Sequence, residues 1–424
     1  MIRFIYFLII SLLFHNSYAD IYNRKFSTDF DTSLRDSDKY YPFVDYISRN
    51  EMIYEDISYS ARPNFTNPRV YAVNDSQIRF NVNKYISLNS RFILKPVSGG
   101  FFSPYGSIDN KDGTDEYGHF GREAITTDEL SMVINQNRTT ITIGKFAPKF
   151  GVGHDRYNPV FNNNWYGIWG TFLNDGYDSR EKMGIKANIE AIKRKDFTLN
   201  IHAAAFRNDN SSLFNNTVFA KRQVSGFLTH SALQPLLSDN RIAGSGSGIK
   251  SNAVTIEGIK EGFFDGTLAF NFGHRRQFSS NDFDKSLLVS PFDVEDSIVY
   301  AGQYMRRISH DLKANIFGEY VNTQNALGVK NFNEKYQTIG ANLNFVGWSI
   351  SYIVNQYDGT GTNLPLSIGN ISSRVKATEL SVGYEFSQIN TQILFGQRKM
   401  TINDQSSISV TGVSLRYVLD LLEE

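Results

Sequence analysis

Apolar side chains recur at every second position over segments of about ten residues, and this period constrains the fold more than any other feature. Phe264, Gly266, Leu268, Phe270 and Phe272 alternate with Asp265, Thr267, Ala269 and Asn271. Ile339, Ala341, Leu343 and Phe345 alternate with Thr338, Gly340, Asn342 and Asn344, and Leu380, Val382, Tyr384 and Phe386 with Glu379, Ser381, Gly383 and Glu385. A helix would scatter such residues around its circumference, so these segments are strands with one apolar and one polar face. About ten residues is also the length of a tilted strand that crosses a bilayer.

The strands come in pairs joined by short turns, expected near Lys84-Tyr85, Gln136–Arg138, Lys193–Asp196, Lys260–Gly262, Ile308–His310, Val346-Gly347 and Ser387-Gln388. Longer polar connections, at 96–127, 148–179, 207–247, 276–294, 323–333, 358–373 and 401–405, separate the pairs. Short turns at one end and mostly long loops at the other define a transmembrane antiparallel β-barrel. Seven hairpins and a last strand at about 406–420 need one more strand upstream, around 51–60 or 68–74, because barrels of this kind close with an even number. The expected fold is therefore all-β, a sixteen-stranded barrel over residues 51–424. A soluble secreted all-β binding protein is the alternative, and the long-loop, short-turn rhythm weighs against it.

Composition agrees with the barrel. Mean hydropathy is only −0.32, which a polar lumen face accounts for. The 33 Phe and 23 Tyr suit interfacial girdles. Residues 1–19 have the anatomy of a secretory signal peptide: Arg3, an apolar run from Phe4 to Phe14, and the small residues Ser17 and Ala19 before a cleavage site. Residues 20–50 show no stable period. Lys and Arg (43) balance Asp and Glu (43), which gives no support for nucleic-acid binding, and the absence of cysteine removes disulfide frameworks and thiolate metal sites.

The stretch Gly144-Lys145-Phe146-Ala147-Pro148-Lys149-Phe150-Gly151 resembles the strand and following loop of bacterial outer-membrane porins, including the phosphate-selective branch. The resemblance implies that 148–179, the third outer loop, folds into the barrel and narrows it, and that three chains associate in the outer membrane. Gly151, Gly153, Gly167, Gly170 and Asn158-Pro159 supply turn chemistry for such a loop. Gly412, Leu415 and Tyr417 match the offsets of the insertion signal that ends many outer-membrane proteins; a terminal Phe is missing and Val418–Glu424 runs on beyond the usual end.

The alternation also names lumen charges: Arg79, Arg91, Lys186, Arg275, Lys313, Arg398 and Arg416, with Asp265, Asp311, Glu319, Glu379 and Glu385. Barrel closure brings Arg79, Arg91, Arg398 and Arg416 onto one wall as a basic arc. Asp155, Asp175 and Asp178 of the third loop would face it across a constriction, setting up a transverse field. The aspartates around Gly113 fail the EF-hand spacing, and no motif marks a cofactor site or a nucleophile with its base. The chain is thus expected to be a non-enzymatic channel for small hydrophilic solutes or ions, needing no cofactor and embedded in outer-membrane lipid. A surface protein whose long loops bind host, phage or other ligands is the competing reading.

Overall fold

The computed structural model describes residues 41–59, 62–96, 123–151, 167–169, 182–208, 248–278, 293–364, 369–404 and 406–421. Its sixteen strands form one closed antiparallel barrel. They are β1 (Phe43–Tyr59), β2 (Arg62–Asn81), β3 (Ile86–Pro96), β4 (Glu123–Gln136), β5 (Thr139–Phe146), β6 (Lys182–Arg194), β7 (Phe197–Asn208) and β8 (Ser251–Phe263). The second half comprises β9 (Gly266–Gln277), β10 (Glu295–Arg307), β11 (Leu312–Gln324), β12 (Phe332–Phe345), β13 (Trp348–Leu364), β14 (Gly369–Phe386), β15 (Thr391–Ile402) and β16 (Ser406–Leu421). Every strand pairs with its sequence neighbours, and β1 pairs with β16 from Tyr46↔Leu421 to Tyr59↔Ile408, so no edge remains open.

Exposure alternates as a lipid-embedded barrel requires. On β12, Ile339, Leu343 and Phe345 stand outward and exposed, while Glu334, Thr338 and Asn342 point inward and are buried. Strands β11, β13, β14 and β15 add Ile316, Ile350, Tyr352, Leu380 and Phe395 to the same outward apolar belt. No helix among the described residues is long and apolar enough to cross a membrane. At the short-turn end Trp348, Tyr384 and Phe386 form an edge-to-face aromatic cluster, the composition of an interfacial girdle.

Four expectations need correction. The first strand begins at Phe43, within the segment that shows no period. Its inner face mixes Phe43 and Ile47 with Asp45 and Arg49, and its outer face mixes Val44 with Ser48 and Asn50, so hydropathy does not alternate. The fourth short turn, between β8 and β9, lies at Phe264-Asp265, both with positive φ, and not at Lys260–Gly262; Gly262 instead sits in a bulge opposite β9. Asp265 and Asp311 consequently occupy short turns rather than the lumen, where Asp265 pairs with Arg306 and Asp311 with His310.

The connection expected at 358–373 is mostly strand, because β13 and β14 continue past the apolar belt. There the alternation inverts. Asp358, Arg374 and Lys376 face outward, while Tyr357, Val375 and Ala377 are buried on the inside. A sheet standing in water buries its apolar face inward, so this collar behaves like a soluble sheet above the membrane band.

Candidate functional site: the inward loop and its wall

The third long connection joins β5 to β6, and both of its described pieces lie inside the barrel. On leaving β5, Phe150 is fully buried against Val299, and the Arg275 guanidinium stacks 4.5 Å from its ring centroid. The Lys149 carbonyl accepts from Thr255 Oγ1 at 2.7 Å, and Lys149 Nζ lies 3.2 Å from Glu257. Gly151 has φ +72, and a Cβ there would stand 2.7 Å from Glu319 Oε2. The loop-start motif is thus spent on docking: Phe146 packs with Phe206 and Ala253, and Phe150 reaches β9 and β10.

The second piece, Gly167–Trp169, docks on the wall formed by β14, β15, β16 and β1. Glu379 Oε1 accepts from the backbone N–H of Ile168 (2.8 Å) and of Trp169 (3.1 Å), and from Ser381 Oγ (2.8 Å). The Trp169 indole N–H donates to Glu55 Oε1. Arg416 Nη2 donates to the carbonyls of Gly167 (2.9 Å) and Ile168 (3.2 Å), while its Nε donates to Glu51 at 2.8 Å. Ser414 Oγ also donates to Glu51. Glycine at 167 is required twice over: φ is +68, and a Cβ would sit 2.0 Å from Glu379 Oε1. Gly412 leaves room for the Trp169 ring, whose Cζ2 lies 2.7 Å from where a Cβ would be.

All four arginines of the expected basic arc point inward, on β2, β3, β15 and β16, which adjoin around β1. Each has a carboxylate beside it. Arg79 donates twice to Asp45 Oδ2 (2.9 and 2.7 Å), and Arg91 grips Asp75 with a two-point bond (2.9 and 2.8 Å). Arg416 holds Glu51, and Arg398 faces Glu379 across the β14–β15 ladder with its guanidinium 5.7 Å from the Trp169 ring centroid. The wall is a compensated set of ion pairs, with Arg49 as a further base near Asp75 at 3.8 Å. Asp155, Asp175 and Asp178 lie outside the described residues, as do residues 1–40, Gly153 and Gly170.

Sequence reasoning missed Glu51, Glu55, Asp45 and Asp75, all inward on β1 and β2. It named Glu379 as a lumen acid without its role as the acceptor that holds the loop. Leu415 and Tyr417 face outward and are about two-fifths exposed (40% and 42%), whereas Gly412 points inward beneath Trp169. Among the described residues no group of His, Asp and Glu is placed to hold a metal ion.

No protein-family model and no curated protein matches the sequence. Solved structures do match in shape. OprB of Pseudomonas putida aligns over 89% of this chain and 94% of its own, with TM-score 0.52 and 8% identity. An anion-selective porin from Comamonas acidovorans aligns over 89% of this chain and all of its own (100%), at TM-score 0.48 and 8% identity. A loop-deletion mutant of OmpT, an outer-membrane protein of Vibrio cholerae, covers 89% and 99%, at TM-score 0.48 and 10% identity. The fold defines the class: this chain is a closed barrel of sixteen antiparallel strands, similar in shape to these proteins. Its third loop is tied by Glu55, Glu379 and Arg416 to the wall that carries the compensated arginines.

Proposed function

We propose that this protein is an outer-membrane channel for passive diffusion of small hydrophilic solutes or ions, exported with residues 1–19 as a cleaved signal. The observation that carries this reading is the docking of Gly167–Trp169 inside a closed barrel, on the wall of β14, β15, β16 and β1. A barrel serving only as an anchor has no use for a loop tied across its interior, whereas a channel gains a fixed narrowing. Asp155, Asp175 and Asp178, on the same loop, would set its field against Arg79, Arg91, Arg398 and Arg416. Gly412, Leu415 and Tyr417 would form part of the signal read during membrane insertion.

The chain would also assemble with copies of itself, as a homotrimer. On the outward face of β1 and β2, Asn74 donates to Ser48 (2.9 Å) and Asn50 (2.7 Å), and Ser76 to Ser48 (3.1 Å). This polar island lies between exposed Val44, Ile78 and Phe80 on one side and Met52 and Tyr54 on the other. Polar groups inside an apolar belt are costly against lipid, and a protein neighbour covers them at less cost.

Single-channel recording of the refolded protein in planar bilayers under a salt gradient tests the reading. Unitary openings grouped in threes are the expected result. A folded, heat-modifiable barrel that never conducts would overturn it and return the long loops to consideration as binding surfaces.

A further inference from the structure

The collar of β12–β15 carries an excess of positive charge on its outward face. Lys335 on β12, Arg374 and Lys376 on β14 and Lys399 on β15 all stand outward and exposed. Register groups them: Lys335 lies opposite Asp358, Asp358 opposite Arg374, and Lys399 opposite Thr378, two residues on from Lys376. The four bases therefore share a patch about 14 Å across the strands and about 13 Å along them. Two acids lie among them. Asp358 takes Arg374 through Nε alone, at 2.6 Å, and the Arg374 side chain remains 51% exposed. Asp404 lies 3.6 Å from Lys376. Among the described residues no carboxylate stands within ion-pair distance of Lys335 or Lys399. Asn403 fixes the patch from the side: its N–H donates to the Arg374 carbonyl and its Oδ1 accepts the Arg374 N–H, both at 2.8 Å.

The depth of the patch is as regular as its charge. Lys335 lies four residues beyond exposed Ile339, Asp358 four beyond Val354, Lys376 four beyond Leu380 and Lys399 four beyond Phe395. On a tilted strand that is a rise of about 10 Å, enough to pass from hydrocarbon into the headgroup layer. The excess is local. In the flanking rows β11 offers Asn322, and β16 offers Ser409 and Ser407. A basic face in open water would attract any small anion, but apolar steps directly beneath it favour an anion tethered to hydrocarbon. Guanidinium and ammonium groups side by side suit a phosphate. We propose that this patch binds a phosphorylated lipid of the outer leaflet, with its phosphate between Arg374 and Lys376 and its acyl chains along Ile339, Leu380 and Phe395. The surface requires the belt to face lipid; it does not depend on conduction through the lumen.

Native mass spectrometry of the folded mature protein in a non-ionic detergent tests it. Dioleoyl phosphatidic acid is compared with dioleoyl phosphatidylcholine, whose phosphate is offset by choline, and with inorganic phosphate as competitor. The variant Lys335→Gln with Lys376→Gln and Lys399→Gln removes charge and leaves the Arg374–Asp358 bond in place. The expected result is that phosphatidic acid is retained more tightly than phosphatidylcholine and is not displaced by inorganic phosphate. The variant then binds it about fivefold more weakly for each lysine removed, with phosphatidylcholine unchanged. Salt at about 1 M, which shortens screening to about 3 Å, should erase the preference in the unmodified protein, a readout that needs no variant. Equal retention of the two lipids, or a folded variant that holds phosphatidic acid as tightly as before, would overturn the surface. Displacement by inorganic phosphate would also overturn it, reducing the patch to a site for free anions. Retention of neither lipid would overturn the lipid-facing belt as well.

Discussion

The indole N–H of Trp169, partway along the β5–β6 connection, donates to the Glu55 carboxylate on β1. This bond ties the middle of the loop to the strand that closes the barrel. Around it, Glu379 accepts the backbone N–H groups of Ile168 and Trp169, and Arg416 takes the carbonyls of Gly167 and Ile168. Donors and acceptors of three consecutive residues are thus matched by an acid and a base on different strands, which fixes the segment in register as well as in place.

Gly167→Ala is expected to undo this latch. The new methyl would collide with Glu379 Oε1, 2.0 Å away, at a φ of +68 that costs an L-residue about 1–2 kcal/mol. The displaced loop should widen the pore and make single-channel current noisier, while the barrel still shows heat-modifiable migration. Unchanged conductance would mean that Gly167–Trp169 lies away from the narrowest point.

Arg79 and Asp45 are each 2% exposed and joined by a two-point bond, so removing one partner should cost more than removing both. Arg79→Ala strands a buried carboxylate and is expected to lower stability by about 3–5 kcal/mol while shifting the reversal potential toward cations. The double variant Arg79→Gln with Asp45→Asn should recover most of the stability and the original selectivity. Urea unfolding in lipid vesicles and bi-ionic potentials read the two effects separately. Additive losses in the double variant would show that the pair is not coupled.

Ser48→Val with Asn74→Leu converts the outward polar island into ordinary apolar belt. The prediction is a barrel that still folds but migrates as a monomer on native gels and yields unitary rather than grouped openings. Retained oligomers would place the contact elsewhere on the belt.

The barrel was legible wherever the lumen is polar and the outside apolar, as on β12 and β14 near the short turns. It was not legible on β1, because Ile47, Ile53 and Ile57 point inward among charges while Ser48 and Asn50 point outward. Both reversals have physical causes: the inner isoleucines of the upper half, Ile53 and Ile57, pack in the same apolar cluster as Ile168 and Trp169, and the outer polar residues satisfy one another. The inward direction of Arg79, Arg91, Arg398 and Arg416 followed from period two alone. Of their partners only Glu379 was named with them; Asp45 and Glu51 sit on β1, whose period failed, and Asp75, on the same face of β2 as Arg79, went unread.

The short turns hold one more legible conflict. Val346-Gly347 joins β12 to β13 with φ of 48° and 79°, the two positive values of the turn type that matches the twist of a hairpin. Glycine takes this conformation freely, but valine is β-branched and is strained there. Val346→Asn supplies a residue that tolerates the left-handed region, and it should stabilise the barrel by about 1 kcal/mol without touching the lumen. The measurement is the urea midpoint of folding into vesicles, with single-channel conductance as the control. A raised midpoint at constant conductance is the expected result; a lowered midpoint would mean that the Val346 side chain stabilises the barrel at the membrane interface by more than its backbone strain costs.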